Sequence, residues 1–297
     1  ISKKIDDYRS SLITNYIKNN NSLKILHVTN FNERHDGRLF YNTSRRINNG
    51  LVRLNHSVLT LSDRDIVSRS RSITDISGSK VLNIRLIETI KNYNPDLLIL
   101  GHADLIKRST LIKIKKEFPH LKIAQWFLDR MDDNWRFNKK RFLHKMDLVN
   151  ANFCTTDPKI LKFSNKQKVF YIPNPSDISF ENLAIYKNKN FTNDVFFALS
   201  HGVHRGILKK GKFDEREKFI KKLISITPNI KFDIYGMDGI QPIWAEKFKE
   251  KLSESKMGIN LSQGKPLKHY SSDRIAQLVG NGILTFIDEK TKFHDFS

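Results

Sequence analysis

Leu23-Lys24-Ile25-Leu26-His27-Val28, the polar stretch 29–37, a segment carrying Phe40, Ile47, Leu51 and Leu54, and the run 56–61 together decide the fold. The first piece is a short apolar run of the kind that forms a buried strand. The third repeats apolar residues at helical spacing, and the fourth is again strand-like. A strand, a helix and a second strand in that order form a crossover unit. Repetition of the unit predicts a parallel sheet with helices on both faces.

Upstream, residues 1–21 place Ile5, Tyr8, Leu12, Ile13 and Tyr16 at a spacing that suits a short amphipathic helix ending at Asn19-Asn20-Asn21. Downstream, a Ser/Arg-rich connector at 62–79 leads to a helix over 80–93, stopped by Asn94-Pro95-Asp96, and a strand over 97–100. Ser109 is the expected N-cap of a helix reaching Phe118-Pro119, and 122–127 reads as a strand. Short strands near 148–154 and 169–172 bring the chain to Ile172-Pro173-Asn174-Pro175-Ser176-Asp177, whose punctuation marks a boundary.

The rhythm then restarts. Strands are expected at 195–199, 231–235, 257–261 and 283–287, and helices at 214–224, 243–252 and 272–279, the first opened by a capping box of Asp214 and Glu217. The expected architecture is α/β. An N-terminal helix (1–21) precedes a Rossmann-like domain (22–175) and a second one (176–297) whose closing helices are expected to be missing at the C-terminus.

The chain has 297 residues and a formal charge of +21, which favours an anionic partner such as a phosphorylated ligand, nucleic acid or a membrane surface. Richness in Lys, Asn and Ile discounts part of that charge as compositional. The single cysteine, Cys154, rules out intramolecular disulfides and reads as a buried thiol. No run approaches the about 18–20 apolar residues needed to span a bilayer, and no signal peptide is visible, so a cytoplasmic location is expected. The sequence begins at Ile1, so a trimmed terminus or a fragment is also expected.

In parallel sheets ligands gather at the C-terminal ends of strands. Of the loops there, Ser200-His201-Gly202-Val203-His204-Arg205-Gly206-Ile207-Leu208-Lys209-Lys210-Gly211-Lys212 combines exposed backbone amides with fixed positive charge, which suits a diphosphate. No P-loop is present, nor a Gly-x-Gly-x-x-Gly after the first strand, which argues against an ATPase and a standard dinucleotide enzyme. In Tyr270-Ser271-Ser272-Asp273-Arg274-Ile275-Ala276-Gln277, either Ser272 or Asp273 can cap a helix. Arg274 and Gln277 lie three apart on one face of it.

These segments, with Asp233-Ile234-Tyr235-Gly236, Ser255-Lys256-Met257-Gly258-Ile259-Asn260-Leu261 and Gly280-Asn281-Gly282, resemble GT-B glycosyltransferases, most closely the CgeB-like branch of the group 1 families. The resemblance implies two Rossmann-like domains facing a cleft, with a nucleotide-sugar donor on the second and a saccharide or lipid-linked acceptor on the first. It implies that Arg205 and Lys210 neutralise the diphosphate in place of a metal, that Tyr235, Gly236 and Met237 border the base, and that Ser272, Asp273, Arg274 and Gln277 belong to the donor pocket. Gln277 stands where related enzymes carry a ribose-binding glutamate, and His269 where retaining members carry another; both depart from the acidic pattern. His102, Asp104, Asp129 and Asp36 occupy strand ends suited to a base for the acceptor hydroxyl, and Gly37 can approach the donor phosphate.

No cofactor and no protein-bound metal are expected, since the scattered histidines lack ligand spacing. Work on cell-surface polysaccharide is implied, with peripheral contact to an anionic cytoplasmic membrane face expected from the excess of Lys and Arg. Two other functions compete: a GT-B sugar-nucleotide epimerase, and a nucleic-acid-binding protein prompted by Arg69-Ser70-Arg71 and the basic stretches at 113–116 and 138–141. No recognisable nucleic-acid module accompanies those stretches, so nucleic acid is not the expected partner.

Overall fold

A computed structural model describes residues 2–19, 21–132, 135–200, 203–204, 207–208 and 214–296. Helix α1 (Ser2–Asn19) precedes a six-stranded sheet of β1 (Lys24–Thr29), β2 (Ser57–Ser62), β3 (Leu97–Gly101), β4 (Lys122–Phe127), β5 (Ala151–Cys154) and β6 (Val169–Tyr171). All neighbours in the order β2-β1-β3-β4-β5-β6 pair in parallel. The connecting helices are α2 (Thr43–Arg53), α3 (Asp63–Arg69), α4 (Ser79–Tyr93), α5 (Arg108–Glu117) and α6 (Arg136–Met146).

The alternation along each strand explains the layering, because successive side chains leave opposite faces. Leu26, Val28, Leu98 and Leu100 pack with Leu86 and Ile90 of α4 and Leu111 of α5. Ile25, Ile99 and Trp126 point the other way, against Ile47 and Leu51 of α2. A sheet buried on both faces is what parallel crossovers require.

The second sheet, in the order β10-β7-β11-β12, is also parallel. Its strands are β7 (Asn193–Ala198), β10 (Phe232–Tyr235), β11 (Ser255–Asn260) and β12 (Leu284–Ile287). Helices α7 (Glu215–Ile226), α8 (Ala245–Ser253) and α9 (Arg274–Gly280) connect them, and the two-residue strands β8 (Val203–His204) and β9 (Ile207–Leu208) form a small antiparallel pair after β7. The α/β architecture is therefore two Rossmann-like parallel sheets on either side of a cleft, the layout that the GT-B resemblance implies.

Three local expectations are corrected. The connector at 62–79 contains α3, while α6 falls on Arg136–Met146, a segment for which the sequence carried no expectation. Helix α5 starts at Arg108 with Lys107, not Ser109, at its N-cap. Helix α7 is capped by the Asp214 side chain accepting from the Arg216 N–H, and no reciprocal bond from Glu217 is seen.

The ion pair between Arg46 and Glu181 ties α2 to the segment that joins the sheets. Both side chains are buried, and the guanidinium reaches both carboxylate oxygens: NH2 to Oε1 at 2.7 Å and Nε to Oε2 at 3.1 Å. Glu181 Oε2 also accepts from the Asp177 N–H at 2.7 Å, and Arg53 bonds Asp177 at 2.7 Å.

Inside the first sheet, His27 is fully buried and accepts the Trp126 indole N–H through Nε2 at 3.2 Å. Burial lowers its pKa from 6.5 to about 4. The unfolded chain therefore takes up a proton below pH 6.5 that the folded one refuses, and stability present above that pH is lost as pH falls through about 4. Unfolding free energy followed by urea titration is expected to decline over that window by up to about 3 kcal/mol. His27→Gln, which retains an acceptor for the indole, should flatten the profile.

Candidate functional site

The cleft between the sheets holds a cavity of about 330 Å³. From the first half it is walled by Asn32, Arg38, Tyr41 and Asn42. From the second come Leu199, Ser200, Trp244, Lys249, Asp273, Arg274, Gln277 and Asn281, and Glu181 adds a carboxylate from the connecting segment. The rim is crossed by contacts between the halves: the Arg38 guanidinium stands 5.1 Å from the Trp244 ring centre, the Tyr41 hydroxyl donates to Glu246, and Lys249 Nζ lies 5.2 Å from the Tyr41 ring centre.

Arg274 is the first residue of α9, placed where the helix meets the cleft. Its guanidinium donates to the Leu261 carbonyl at 3.1 Å and lies over the Phe197 ring at 5.6 Å, yet among the described residues it forms no ion pair. Burial, followed by the like charge of Arg216, lowers its pKa to about 10, so it stays a cation at neutral pH. Arg216 is itself paired with Asp214 through two bonds of 2.9 and 2.7 Å. Asp273 and Asp214 lie near enough to favour the cation without pairing with it, and a desolvated guanidinium with no ion pair among the described residues is suited to an anion.

A second cavity of about 360 Å³ opens at the C-terminal ends of β1 to β4 and shares Asn32, Asn42 and Asp273 with the first. Thr29, Asp63, His102, Trp126 and Asp129 face it. His102 stacks on Phe127 at 4.2 Å, and its Nε2 accepts the Leu128 N–H at 3.2 Å, which leaves the proton on Nδ1, 3.6 Å from Asp129 Oδ2. Burial above all lowers the His102 pKa to about 4. Asp104 is held by Arg64 and Arg141, and its pKa lies below the usual carboxylate value despite burial, because the Arg141 hydrogen bond and charge favour the anion. Asp129 accepts from Arg141 at 3.2 Å but remains half-exposed to the pocket.

Of the residues singled out from the sequence, the structure places His102 and Asp129 in the lining of one pocket, with Asp104 behind it on Arg64 and Arg141, and Asp273, Arg274 and Gln277 in the lining of the other. Asp36 and Gly37 sit in a surface turn with φ of 50° and 78°, outside both linings, although Arg38 beside them reaches the cleft. Tyr235 packs with Phe196, Met237 is buried beside Leu199, and Gly236 makes the turn between them at φ 76°. A Cβ at Gly236 would stand 1.9 Å from the Leu199 carbonyl oxygen. Ser272 donates to Asn260 and receives no cap bond, while Asp273 takes the N-cap position without a side-chain cap. His269 bonds Asp295 at 2.9 Å, away from both cavities. Arg205 and Lys210 lie outside the described residues.

No protein-family model matches the sequence, and no curated protein does. Among solved structures, the chain is similar in course to UDP-GlcNAc 2-epimerase from Neisseria meningitidis bound to UDP-GlcNAc. The identity is 13%, over 92% of this chain and 90% of that one, at a TM-score of 0.44. It is similar also to the spinosyn rhamnosyltransferase SpnG, at 8% identity over 88% and 79%, with a TM-score of 0.40. Likeness at this level carries no chemistry across, and the sheets and cavities above are read from this chain alone.

Two functional-looking groups were not singled out from sequence. Asp63, the first residue of α3, is buried against the second cavity, and burial raises its pKa to about 6, making it a proton acceptor near neutrality. Lys145 of α6 reaches under the turn after β3 and donates to the carbonyls of His102 at 2.9 Å and Ala103 at 3.1 Å. Those two residues have φ of 57° and 39°, a left-handed backbone that the ammonium helps to hold. Its own pKa falls to about 8 on burial.

Proposed function

We propose that the chain binds a nucleoside-diphosphate sugar in the cleft and transfers the sugar to a hydroxyl acceptor held at the strand ends of the first sheet. The observation that carries this reading is the pair of adjoining cavities that share Asn32, Asn42 and Asp273, one lined by a desolvated arginine that forms no ion pair among the described residues and the other by a half-exposed carboxylate. In the proposed step, Asp129 takes the acceptor O–H proton, the freed oxygen bonds the anomeric carbon, and the bond from that carbon to the diphosphate oxygen breaks with its electron pair leaving on the nucleotide. Arg274 opposes the charge that develops there. Gln277, Asn281 and Asn42 offer amides to hydroxyl groups of the donor. By the sequence reading, Arg205 and Lys210 add charge to the same diphosphate.

Calorimetry with UDP, GDP, ADP and TDP tests the reading and names the base; binding of none would end it. Arg274→Ala should weaken the nucleotide that binds by about ten- to a hundredfold, because a charge-assisted contact of about 1.5–3 kcal/mol is lost. Unchanged affinity in a folded variant would remove Arg274 from the site. The second reading is epimerisation of the sugar nucleotide, which needs the cleft and makes no use of an acceptor pocket. Product analysis with donor alone separates the two: a new sugar-nucleotide isomer points to the epimerase, and nucleotide release that depends on an added hydroxyl acceptor points to transfer.

A further inference from the structure

Between α3 and α4 the chain makes a hydrogen-bonded turn whose two aliphatic side chains touch almost nothing. Ile73 is 97% exposed and Ile76 81%. The turn is nonetheless built. Ser72 and Asp75 exchange backbone bonds at 3.2 Å in both directions, Asp75 Oδ1 accepts from Ser77 and Oδ2 from the Lys80 N–H at 2.8 Å. Gly78, at φ 65°, passes so close to Val67 that a Cβ would lie 2.4 Å from its carbonyl oxygen. The isoleucines are therefore held out by a fixed scaffold, at the end of a helix whose first residues, Asp63 and Arg64, line the second cavity. One exposed aliphatic residue is ordinary on a protein surface; two held at the apex of one turn call for an occupant.

The charge beside them says which. Arg69, Arg71, Lys80 and Arg85, in the segments flanking the turn, are exposed, Arg69 in an ion pair with Glu33 at 3.7 Å, and the turn's own Asp75 carboxylate is occupied by bonds to its backbone and Ser77. Val81 and Ile84, one helical turn apart at the start of α4, extend the apolar surface. Aliphatic side chains ringed by cations match the headgroup boundary of an anionic bilayer, where the chains enter the interface and the cations meet phosphate. Among the described residues no helix is long and apolar enough to cross a membrane, so contact through this turn would be peripheral.

We propose that the 72–77 turn with the first turn of α4 docks this protein on an anionic lipid surface, presenting the cavity at the strand ends of the first sheet to molecules held there. The test is co-sedimentation of the whole chain with vesicles of phosphatidylglycerol mixed into phosphatidylcholine, and with phosphatidylcholine alone. Binding is expected to require the anionic lipid and to weaken with salt. The Ile73→Asp/Ile76→Asp double variant should lose about tenfold or more of it with unchanged circular dichroism. Failure of the wild type to sediment, or equal sedimentation of the variant, overturns the proposal. Self-association in the absence of vesicles that the variant abolishes overturns it in favour of a second copy. Nucleotide calorimetry on the same variant is expected to match the wild type, so loss of docking and loss of the proposed cleft function are read separately.

Discussion

Arg46→Ala is expected to destabilise the protein by about 3–5 kcal/mol, read as a fall in the urea midpoint, the largest stability effect of any single substitution suggested here. The reason is that Glu181 would remain buried and charged with its partner gone, which costs more than the pair itself contributes. Coulomb attraction in a dry site roughly offsets the desolvation of two ions, so replacing both tests the account. Arg46→Met combined with Glu181→Leu should recover most of the loss. A single variant no worse than about 1 kcal/mol would mean that water reaches the pair and that the connecting segment is not fixed by it. Arg46 NH1 has no hydrogen-bond partner, so the alanine also removes one unsatisfied donor, a gain too small to change the sign.

Asp129→Asn is expected to lower transfer by about a hundred- to ten-thousandfold while nucleotide affinity stays within about twofold, the signature of a lost proton acceptor. The assay is nucleotide release in the presence of a hydroxyl acceptor. His102 offers no lone pair for the task, because its Nε2 is taken by the Leu128 amide and its Nδ1 proton faces Asp129. With a pKa of about 4 it should contribute no acid limb near neutrality. An activity limb near pH 6.5 that vanishes in a His102 variant would move the proton to the imidazole instead. If Asp129→Asn retains activity and Asp63→Asn loses it, the buried carboxylate at the head of α3 is the acceptor.

The strands were legible because each is an apolar run that a sheet covered on both faces demands, as at Ile25 to Val28 and Leu98 to Leu100. Helix α6 was not, since Arg-Phe-Asn-Lys-Lys-Arg-Phe-Leu-His-Lys-Met shows no clean apolar stripe. Its place is set by Phe142 and Met146 meeting Phe127, contacts made at long range. Missing α6 hid Lys145 and with it the device that holds the His102 turn. Asp63 was hidden differently: in sequence it is one acid in a polar connector, and only the packing of α3 removes it from water. Spacing alone put Arg274 and Gln277 on one face, and both do line the cleft. What spacing could not give is that Arg274 is desolvated and forms no ion pair among the described residues, which depends on residues as distant as Leu261 and Phe197.

The ties between the halves are unequal in strength, and this sets how the molecule yields. At the rim, Arg38 lies half-buried on Trp244 and Tyr41 bonds the exposed Glu246, contacts each worth about 1 kcal/mol. At the connecting segment, Arg46 and Glu181 are dry. A second dry tie joins the halves at Arg130, 4% exposed, whose guanidinium donates to the Gln263 carbonyl at 3.0 Å and to that of Lys265. Modest denaturant is therefore expected to loosen the contacts of Arg38 and Tyr41 before it reaches the two buried ties at Arg46 and Arg130.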